Sequence, residues 1–290
     1  PVDLGGLPAA RPRRHRVVMG GACTVVVPCF NEERRLDPAR LDRLAEAAGA
    51  RVLLVDDGST DGTRALLQRL AETAPDRFGV LGLDANRGKG EAVRRGLLAA
   101  LDQGADVVGY CDADFATPPE EVARLVAALR DDPTVDAVLG SRVALLGADI
   151  RRSAARHYSG RLFATASSLV LGTPVYDTQC GAKVFRAGDG LRAALQEPFV
   201  SRWAFDVELL GRLLRLPDHR MVEVPLQAWS EAPGSKLTLR DRLRAALDLL
   251  AIRRALRHAA PGAPGQPVPP APSPSSGSTN SATGAQGPSA

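Results

Sequence analysis

Cysteine is scarce in this sequence, and the four cysteines present, Cys23, Cys29, Cys111 and Cys180, form no C-x-x-C pair. Zinc sites and disulfide frameworks are usually built on cysteines at such regular, close spacings. We therefore expect neither a zinc site nor a disulfide network, and instead reduced thiols in a cytosolic protein.

Long apolar runs are also missing, since none approaches the roughly 20 residues that a helix needs to cross a bilayer. The first residues lack the apolar core of a signal peptide. The formal net charge of +4 is too small to indicate a nucleic-acid partner. These absences predict a chain that is soluble or peripherally attached to a membrane.

Two common nucleotide-binding loops are absent as well. The segment NRGKGEAVRRG, residues 86–96, lacks the G-x-x-x-x-G-K-[ST] spacing that cradles a triphosphate. The first apolar run leads into PCFNEE, residues 28–33, and not into the G-x-G-x-x-G turn of a dinucleotide-binding unit. The sequence therefore argues against a P-loop nucleotidase and against a nicotinamide-dependent dehydrogenase.

Composition divides the chain into four parts. Residues 1–21 include the basic run RPRRHR and are predicted to be a flexible basic arm. Residues 22–235 are enough for one folded domain, and residues 236–258 read as a basic amphipathic helix. Residues 259–290 are rich in Pro, Gly, Ser and Ala and contain no charged or aromatic residue, so we expect them to be disordered.

Short apolar runs alternate with helical patterns along the central part of the chain. CTVVVP (23–28), RVLLVD (51–56) and ADVVGYCDAD (105–114) are typical of strands buried on both faces. Segments with helical spacing separate them, as in PARLDRLAEAAG (38–49). This alternation predicts a single-domain α/β fold, an open and mostly parallel sheet flanked by helices, which binds ligands beyond the carboxyl ends of its strands.

Acidic pairs follow two of these predicted strands, Asp56 with Asp57 and Asp112 with Asp114. One explanation is that they are turn formers or helix caps, since the Asp, Gly and Ser residues of DDGSTDG are ordinary turn formers. The D-x-D spacing has a second explanation, because two carboxylates at a turn can converge on a hard divalent cation and leave its other positions to water and phosphate oxygens. Mg²⁺ or Mn²⁺ is the predicted metal, held by Asp112 and Asp114.

Five motifs occur in a recognisable order: VVVPCFNEE, VLLVDDGSTDGT, NRGKGEAVRRG, CDADFATPPEE and VLGSR. In this order they resemble the family 2 glycosyltransferases of the GT-A fold, over residues 22 to about 142. The resemblance implies that the PCFNEE and VDDGS segments bind a sugar nucleotide and that the D-x-D pair holds a divalent metal on its diphosphate.

The second half of the chain narrows the resemblance. The segments DTQCGAKVFRA (177–187), RWAFDVELL (202–210) and EVPLQAWSEAPGSKL (223–237) are similar to those of dolichyl-phosphate β-glucosyltransferases. This implies an inverting, metal-dependent transfer of glucose from UDP-glucose to a polyprenyl phosphate, with GDP-mannose as the other donor considered. The sequence departs from two related patterns: Ala116 stands where mannose synthases place a metal-binding glutamine, and the membrane-spanning helix usual among the glucosyl relatives is not seen.

The resemblance also suggests which residues do the work. Those implied to bind the sugar nucleotide are Pro28, Asn31, Glu32, Glu33, Asp56, Asp57, Lys89 and Asp112. Arg142 is a candidate to contact the phosphates or the sugar. A phosphate acceptor needs no general base, whereas a hydroxyl acceptor does, and for that case Asp206 or Glu208 is the candidate. A plain role as helix cap or surface charge is equally open to both carboxylates.

Basic side chains indicate where an anionic acceptor would bind. Arg152 and Arg156 lie one helical turn apart and, with Lys236, are the candidates to hold the acceptor phosphate. Within residues 236–258 arginines surround a leucine stripe, Leu239, Leu243, Leu247 and Leu250. This helix could lie in an anionic membrane interface, which predicts a cytoplasmic protein on the cytoplasmic membrane face, or its stripe could pack on the sheet.

Three other functions remain open from the sequence. The same fold could transfer a sugar to a soluble or polysaccharide hydroxyl, or it could bind a nucleotide sugar without catalysis. A nucleotidyltransferase also combines an α/β sheet with Mg²⁺ and a nucleotide, but it would release pyrophosphate rather than a nucleoside diphosphate. The intact D-x-D pair argues against binding without catalysis.

Overall fold

The computed structural model of the protein describes residues 22–151, 154–231 and 239–258. The predicted N-terminal arm (1–21) and C-terminal tail (259–290) lie outside these residues. The strands are β1 Cys23–Cys29, β2 Arg51–Asp56, β3 Phe78–Gly82, β4 Val107–Cys111, β5 Ala137–Ser141, β6 Asp149–Arg151, β7 Ala182–Arg186, β8 Met221–Pro225 and β9 Ala228–Ser230. The helices are α1 Pro38–Ala48, α2 Thr63–Thr73, α3 Lys89–Asp102, α4 Pro119–Asp131, α5 Ala154–Leu171, α6 Asp189–Gln196, α7 Phe205–Leu213 and α8 Leu239–His258.

Seven strands form one sheet in the order β3-β2-β1-β4-β7-β5-β8, and β6 pairs with β9 in a separate parallel ribbon. All pairings in the large sheet are parallel except those of β7, which runs antiparallel to β4 and β5. The prediction of an open, mostly parallel sheet flanked by helices is confirmed. Because β1, β2 and β4 are parallel neighbours, their carboxyl ends meet at one edge of the sheet.

The sheet is covered on both faces, which explains its continuous apolar strands. Val25 and Val27 of β1 belong to the core under α1 and α4, whereas Val26 between them belongs to the core under α3 and α7. Successive side chains of a strand point to opposite faces, so a strand buried on both sides must be apolar throughout. The sheet is therefore the central layer of the fold, with helices on both faces.

Helix α8 packs on other helices rather than on the sheet. Its buried residues Leu249, Ile252 and Leu256 form a small core with Val207 of α7 and Phe163 of α5. Two leucines of the predicted stripe, Leu247 and Leu250, are exposed and do not join this core. The alternative that this stripe packs on the sheet is wrong for Leu247 and Leu250. Among the described residues no helix is both long and apolar enough to span a bilayer.

Candidate active site

A cavity of about 300 Å³ opens where the carboxyl ends of β1, β2 and β4 meet. Each of these strands, and the N-terminus of α3, contributes polar groups to it. The residues that matter for the chemistry below are Pro28, Glu32, Asp57, Lys89, Asp112 and Asp114. The prediction that the ligand site lies beyond the strand ends is consistent with this cavity.

The two aspartates of the D-x-D motif stand directly after β4. The backbone N–H of Asp112 donates to the carbonyl of Gly181 at 3.1 Å, which fixes the start of the turn. Phe115 adopts a φ of 49°, and Asp114 Oδ1 accepts the N–H of Ala116 at 3.0 Å. Asp114 thus stabilises the turn that carries it, so the turn-forming role and an exposed carboxylate coexist in one residue.

The carboxylate of Asp112 forms an ion pair with the ammonium group of Lys89. Its Oδ1 lies 2.6 Å from the Nζ of Lys89, the first residue of α3. That oxygen is buried and receives no hydrogen bond of regular geometry from any described residue. Burial lowers the pKa of Lys89, but the carboxylates of Asp112, Asp206 and Asp114 together outweigh it and raise the pKa of the lysine above its ordinary value. The Asp112 carboxylate therefore lies where a positive charge is stabilised.

The donor set at Asp112 and Asp114 suits a hard divalent cation. Carboxylate oxygens are the ligands that Mg²⁺ prefers, and Mg²⁺ usually keeps several positions for water and substrate phosphates. Within the described ranges no cluster of three or more His, Cys, Asp or Glu side chains gathers as a complete protein cage. Two carboxylates and a stand-in ammonium fit a metal that is shared with a diphosphate, so the residues present fit the predicted cofactor.

Asp57 organises the opposite wall of the cavity. Its carboxylate accepts the N–H groups of Arg87 at 2.7 Å and Gly88 at 2.8 Å, immediately before Lys89. Burial raises the pKa of Asp57, and these two N–H groups only partly offset that rise. Gly58 has a φ of 67°, and a Cβ there would overlap the backbone of Ala85. The close approach of these two loops positions Lys89 opposite Asp112.

Asp56 points away from the cavity, although it was predicted to bind the nucleotide together with Asp57. Its side chain is fully buried, pairs with Arg64 Nε at 2.7 Å and accepts the N–H of Ser59 at 3.1 Å. Neighbouring residues at a strand end project to opposite sides, so only one of the two reaches the cavity. Asp56 stabilises the turn after β2.

In the PCFNEE segment, too, only some of the predicted residues face the cavity. Pro28 and Glu32 line the cavity, and Glu32 also binds Arg35 Nε at 3.0 Å. Asn31 Oδ1 instead accepts the N–H of Thr60 at 2.9 Å, and Glu33 Oε2 accepts that of Gly62 at 3.0 Å. The structure therefore uses Asn31 and Glu33 to join the loops after β1 and β2, and leaves Glu32 at the cavity.

Asp206 is not open to the cavity as a general base would be. Its Oδ1 accepts the Nζ of Lys183 at 2.7 Å and the hydroxyl of Tyr110. Tyr110 on β4 and Lys183 on β7 are directly paired across the sheet, and both are fully buried. Burial, together with Asp206, raises the pKa of Tyr110 well above its ordinary value, so its hydroxyl remains a donor. Asp206 is the counter-ion of a buried lysine.

Glu208 and Arg142 are also held by partners. Glu208 accepts the N–H of Val200 at 2.8 Å and binds Arg212 Nη2 at 2.6 Å. Arg142 forms a bidentate pair with Asp177, with Nε–Oδ2 at 2.6 Å and Nη2–Oδ1 at 2.7 Å. Because its guanidinium is already neutralised, Arg142 is better placed to hold Asp177 than to receive a free phosphate. Asp177 and Lys183 both lie in DTQCGAKVFRA, but nothing in that motif indicated their partners.

The predicted acceptor-phosphate residues are Arg152, Arg156 and Lys236. Arg152 and Lys236 lie outside the described residues, and Arg156 lies in α5 with its side chain outside them. A small pocket beside α5 is lined by Arg142, Arg161, Tyr176 and Gln179. Arg161 donates to the carbonyl of Tyr176 at 3.1 Å and stacks on its ring. Arg161 is thus a described basic side chain near the predicted acceptor region.

A mostly parallel α/β sheet with a D-x-D pair and a lysine in the cavity at its carboxyl edge is typical of glycosyltransferases of the GT-A fold. Residues 24–189 match the family model described as glycosyl transferase family 2, and the chain belongs to this family. It is an enzyme of the glycosyltransferase class, and the resemblance inferred from its motifs is confirmed.

Curated relatives carry a narrower description. The chain is 37% identical to a dolichyl-phosphate β-glucosyltransferase of Drosophila melanogaster, over 74% of this chain and 69% of that protein. It is 31% identical to the enzyme of that name from Saccharomyces cerevisiae, over 80% of this chain and 74% of that protein. Since these matches cover 74% and 80% of this chain, they extend beyond the D-x-D region.

Solved structures support the fold and bear on the metal. A mannosyltransferase of Pyrobaculum calidifontis in complex with GDP-mannose and Mn²⁺ aligns with a TM-score of 0.56 and 25% identity, over 84% of this chain and 67% of that chain. Glucosyl-3-phosphoglycerate synthase of Mycobacterium tuberculosis, in complex with UDP, aligns with a TM-score of 0.58 and 22% identity, over 81% of each chain. Divalent metals are thus found in a solved relative of this fold.

Substitution of Gly181 tests the role of Asp112 without removing its carboxylate. A Cβ at Gly181 would overlap Asp112 Oδ2, so Gly181→Ala should displace that side chain. We expect Mn²⁺ to bind about tenfold more weakly or worse, because supports of metal ligands commonly contribute that much. Electron paramagnetic resonance of free Mn²⁺ measures this directly. Gly188→Ala is the matched control, since no atom lies within 4 Å of its Cβ position. Unchanged Mn²⁺ affinity in Gly181→Ala would remove Asp112 from the metal site.

Proposed function

We propose that the protein transfers glucose from UDP-glucose to a polyprenyl phosphate and releases UDP, using Mg²⁺ or Mn²⁺. The observation that carries this proposal is the cavity in which Asp112, Asp114 and Lys89 meet at the carboxyl edge of the sheet. The choice of glucose and of a lipid phosphate is supported by the dolichyl-phosphate β-glucosyltransferases that the chain resembles.

The donor end of the reaction is assigned to the strand edge. Asp112 and Asp114 would hold the cation, which neutralises charge as it grows on the departing diphosphate. Lys89, now 2.6 Å from Asp112, is close enough to bind a diphosphate oxygen when that carboxylate is occupied by a metal. Asp57 keeps Lys89 at this position through its bonds to Arg87 and Gly88.

The acceptor end is consistent with a phosphate rather than a hydroxyl. A phosphate is largely ionised at pH 7 and needs positioning, whereas a hydroxyl needs a general base near the reacting carbon. The two carboxylates considered for that base, Asp206 and Glu208, are both bound by basic partners. Attack by the lipid phosphate on the anomeric carbon, with one inversion, gives a β-linked sugar phosphodiester. We place this reaction on the cytoplasmic face of a membrane, where a polyprenyl phosphate presents its head group.

Transfer of labelled sugar into lipid tests the proposal. The protein is incubated with Mn²⁺, labelled UDP-glucose or GDP-mannose, and a polyprenyl phosphate in detergent, and the lipid is extracted into organic solvent. We expect label from UDP-glucose in the lipid phase only when metal and polyprenyl phosphate are both present. Label found only in water-soluble glycosides would indicate a soluble acceptor, and no label in the lipid phase with either donor would refute the proposal.

A further inference from the structure

Lys183 carries a positive charge into the interior of the sheet, on the strand next to β4. Its side chain is fully buried, and it lies on β7 directly opposite Tyr110. A buried ion pair can often be replaced by well-packed apolar side chains of similar volume without loss of stability. Stability alone therefore does not account for a lysine at this position.

The ammonium group of Lys183 holds the segment that precedes β7. Its Nζ donates to the carbonyl of Cys180 at 2.7 Å, three residues earlier in the chain. The residue after Cys180 is Gly181, whose own carbonyl accepts the N–H of Asp112 at 3.1 Å. This bond continues the ladder between β4 and β7 beyond its last paired residues. Lys183 thus fixes the segment to which the first aspartate of the D-x-D pair is bonded.

The side chain of Asp112 also rests against this segment. A Cβ at Gly181 would overlap Oδ2 of Asp112, so the carboxylate lies directly over the glycine. The other oxygen of the same carboxylate, Oδ1, lies 2.6 Å from the Nζ of Lys89. A displacement of the segment before β7 would therefore move a predicted metal ligand.

The second bond of Lys183 leads to the other wall of the cavity. Its Nζ donates to Oδ1 of Asp206 at 2.7 Å, and Asp206 lies in the first turn of α7 beside Phe205. The ring centroid of Phe205 lies 5.8 Å from the Nζ of Lys89. A Cβ at Gly90 would overlap the side chain of Phe205, so α7 packs closely on the start of α3. Lys183 is thus bonded to the helix that supports Lys89.

We propose that Lys183 is a positioning residue for the metal site. Its two bonds, to the segment before β7 and to α7, fix the distance between the Asp112 carboxylate and Lys89. An ammonium group binds oxygen atoms more strongly than a neutral donor does, and a buried site strengthens such bonds. Lys183 acts through its neighbours, since it does not line the cavity. The proposal rests on the proposed function in one respect, because the cation is assigned there to Asp112 and Asp114.

A variant that removes the buried charges without stranding one of them tests the proposal. Tyr110→Phe, Lys183→Met and Asp206→Leu are combined in one protein, which we call the apolar variant. We expect it to fold, because no charge of the cluster is left buried without a partner. Mn²⁺ should bind to it about tenfold more weakly or worse, since supports of metal ligands commonly contribute that much. Electron paramagnetic resonance of free Mn²⁺ measures this affinity in the absence of substrate.

Arg186→Met is the matched control on the same strand. Arg186 also ties β7 to backbone carbonyls, with bonds to those of Leu129 at 2.6 Å and Val135 at 3.1 Å. These bonds lie towards the end of β7 that is far from the cavity. Arg186→Met should therefore lower the thermal midpoint and leave Mn²⁺ affinity unchanged. Asp206→Asn is a second variant that keeps side-chain volume and an acceptor oxygen, and it should weaken Mn²⁺ binding in the same direction as the apolar variant.

Hydrogen exchange of the Asp112 amide separates this proposal from the proposed function, because it needs neither metal nor substrate. That amide is bonded to Gly181. Its exchange should be about tenfold faster in the apolar variant than in the wild-type protein, and unchanged in Arg186→Met. If the wild-type protein binds no Mn²⁺ and the amide still loses its protection in the apolar variant, the positioning role stands and the assigned metal site fails.

Two results would overturn the proposal. One is wild-type Mn²⁺ affinity together with wild-type protection of the Asp112 amide in both the apolar variant and Asp206→Asn. The other is an equal loss of Mn²⁺ affinity in Arg186→Met, because the loss would then follow general stability and not the bonds of Lys183.

Discussion

Replacing Asp112 with asparagine should lower metal-dependent turnover by about a thousandfold, because stabilisation by a metal is worth several kcal/mol and Asn cannot supply its charge. The fold should remain, since Asp112 lies beyond the end of β4 and its carboxylate is paired only with Lys89 in the described structure. Turnover, Mn²⁺ affinity and the thermal midpoint of the same preparation measure the three effects. Asp114→Asn should act in the same direction, and the turn should persist because the amide oxygen of asparagine can still accept the N–H of Ala116.

Asp76→Asn is the control for this substitution, because Asp76 is exposed and lies after α2, away from the cavity. It should leave turnover, Mn²⁺ affinity and the thermal midpoint unchanged. The alternative explanation of the acidic pair makes an opposite prediction. If Asp112→Asn melts at a much lower temperature and yet keeps its turnover, Asp112 is a turn former and not a metal ligand.

The second large effect concerns stability. Asp206→Ala should lower the free energy of unfolding by about 3–5 kcal/mol, because it leaves the charge of Lys183 buried without a counter-ion. Lys183 is fully buried, and besides Asp206 its Nζ contacts the carbonyl of Cys180 at 2.7 Å. Urea unfolding measures the change. Asp106→Ala, at an exposed position just before β4, should change stability by less than about 0.5 kcal/mol.

A compensating variant shows whether the loss comes from the stranded charge. Tyr110→Phe, Lys183→Met and Asp206→Leu together remove every polar member of the cluster, and stability should recover most of what Asp206→Ala loses. If Asp206→Ala unfolds like the wild-type protein but loses turnover, Asp206 acts on substrate and the structural role described for it is wrong. Loss of stability without recovery in the triple variant would show that packing, not charge, dominates at this position.

The edge of the sheet could be predicted from the sequence because local features determine it. The apolar runs of β1, β2 and β4 are continuous, β2 ends at Asp56 and Asp112 directly follows β4, so the carboxyl edge and its aspartates could be predicted. The sequence did not show which of Asp56 and Asp57 faces the cavity. That depends on the face of the sheet on which each side chain lies at the end of β2. A shift of one residue along a strand reverses the side on which a side chain lies.

Partners that are distant in sequence were the other source of error. Lys183 lies in an apolar strand context, but its counter-ion Asp206 and its neighbour Tyr110 come from two other elements. In α8 two apolar sets have helical spacing, one containing Leu247 and Leu250 and the other Leu249 and Ile252. Periodicity alone does not distinguish the buried set from the exposed one, because the packing of α5 and α7 makes that choice.

Phosphorus NMR of a complete reaction tests the central claim most directly, because it observes both products at once. With UDP-glucose, a polyprenyl phosphate and Mg²⁺, we expect UDP and a sugar–lipid phosphodiester in equal amounts, and neither product in detectable amount from Asp112→Asn. A reaction that releases pyrophosphate when a nucleoside triphosphate is supplied, with no phosphodiester from UDP-glucose or GDP-mannose, would contradict it.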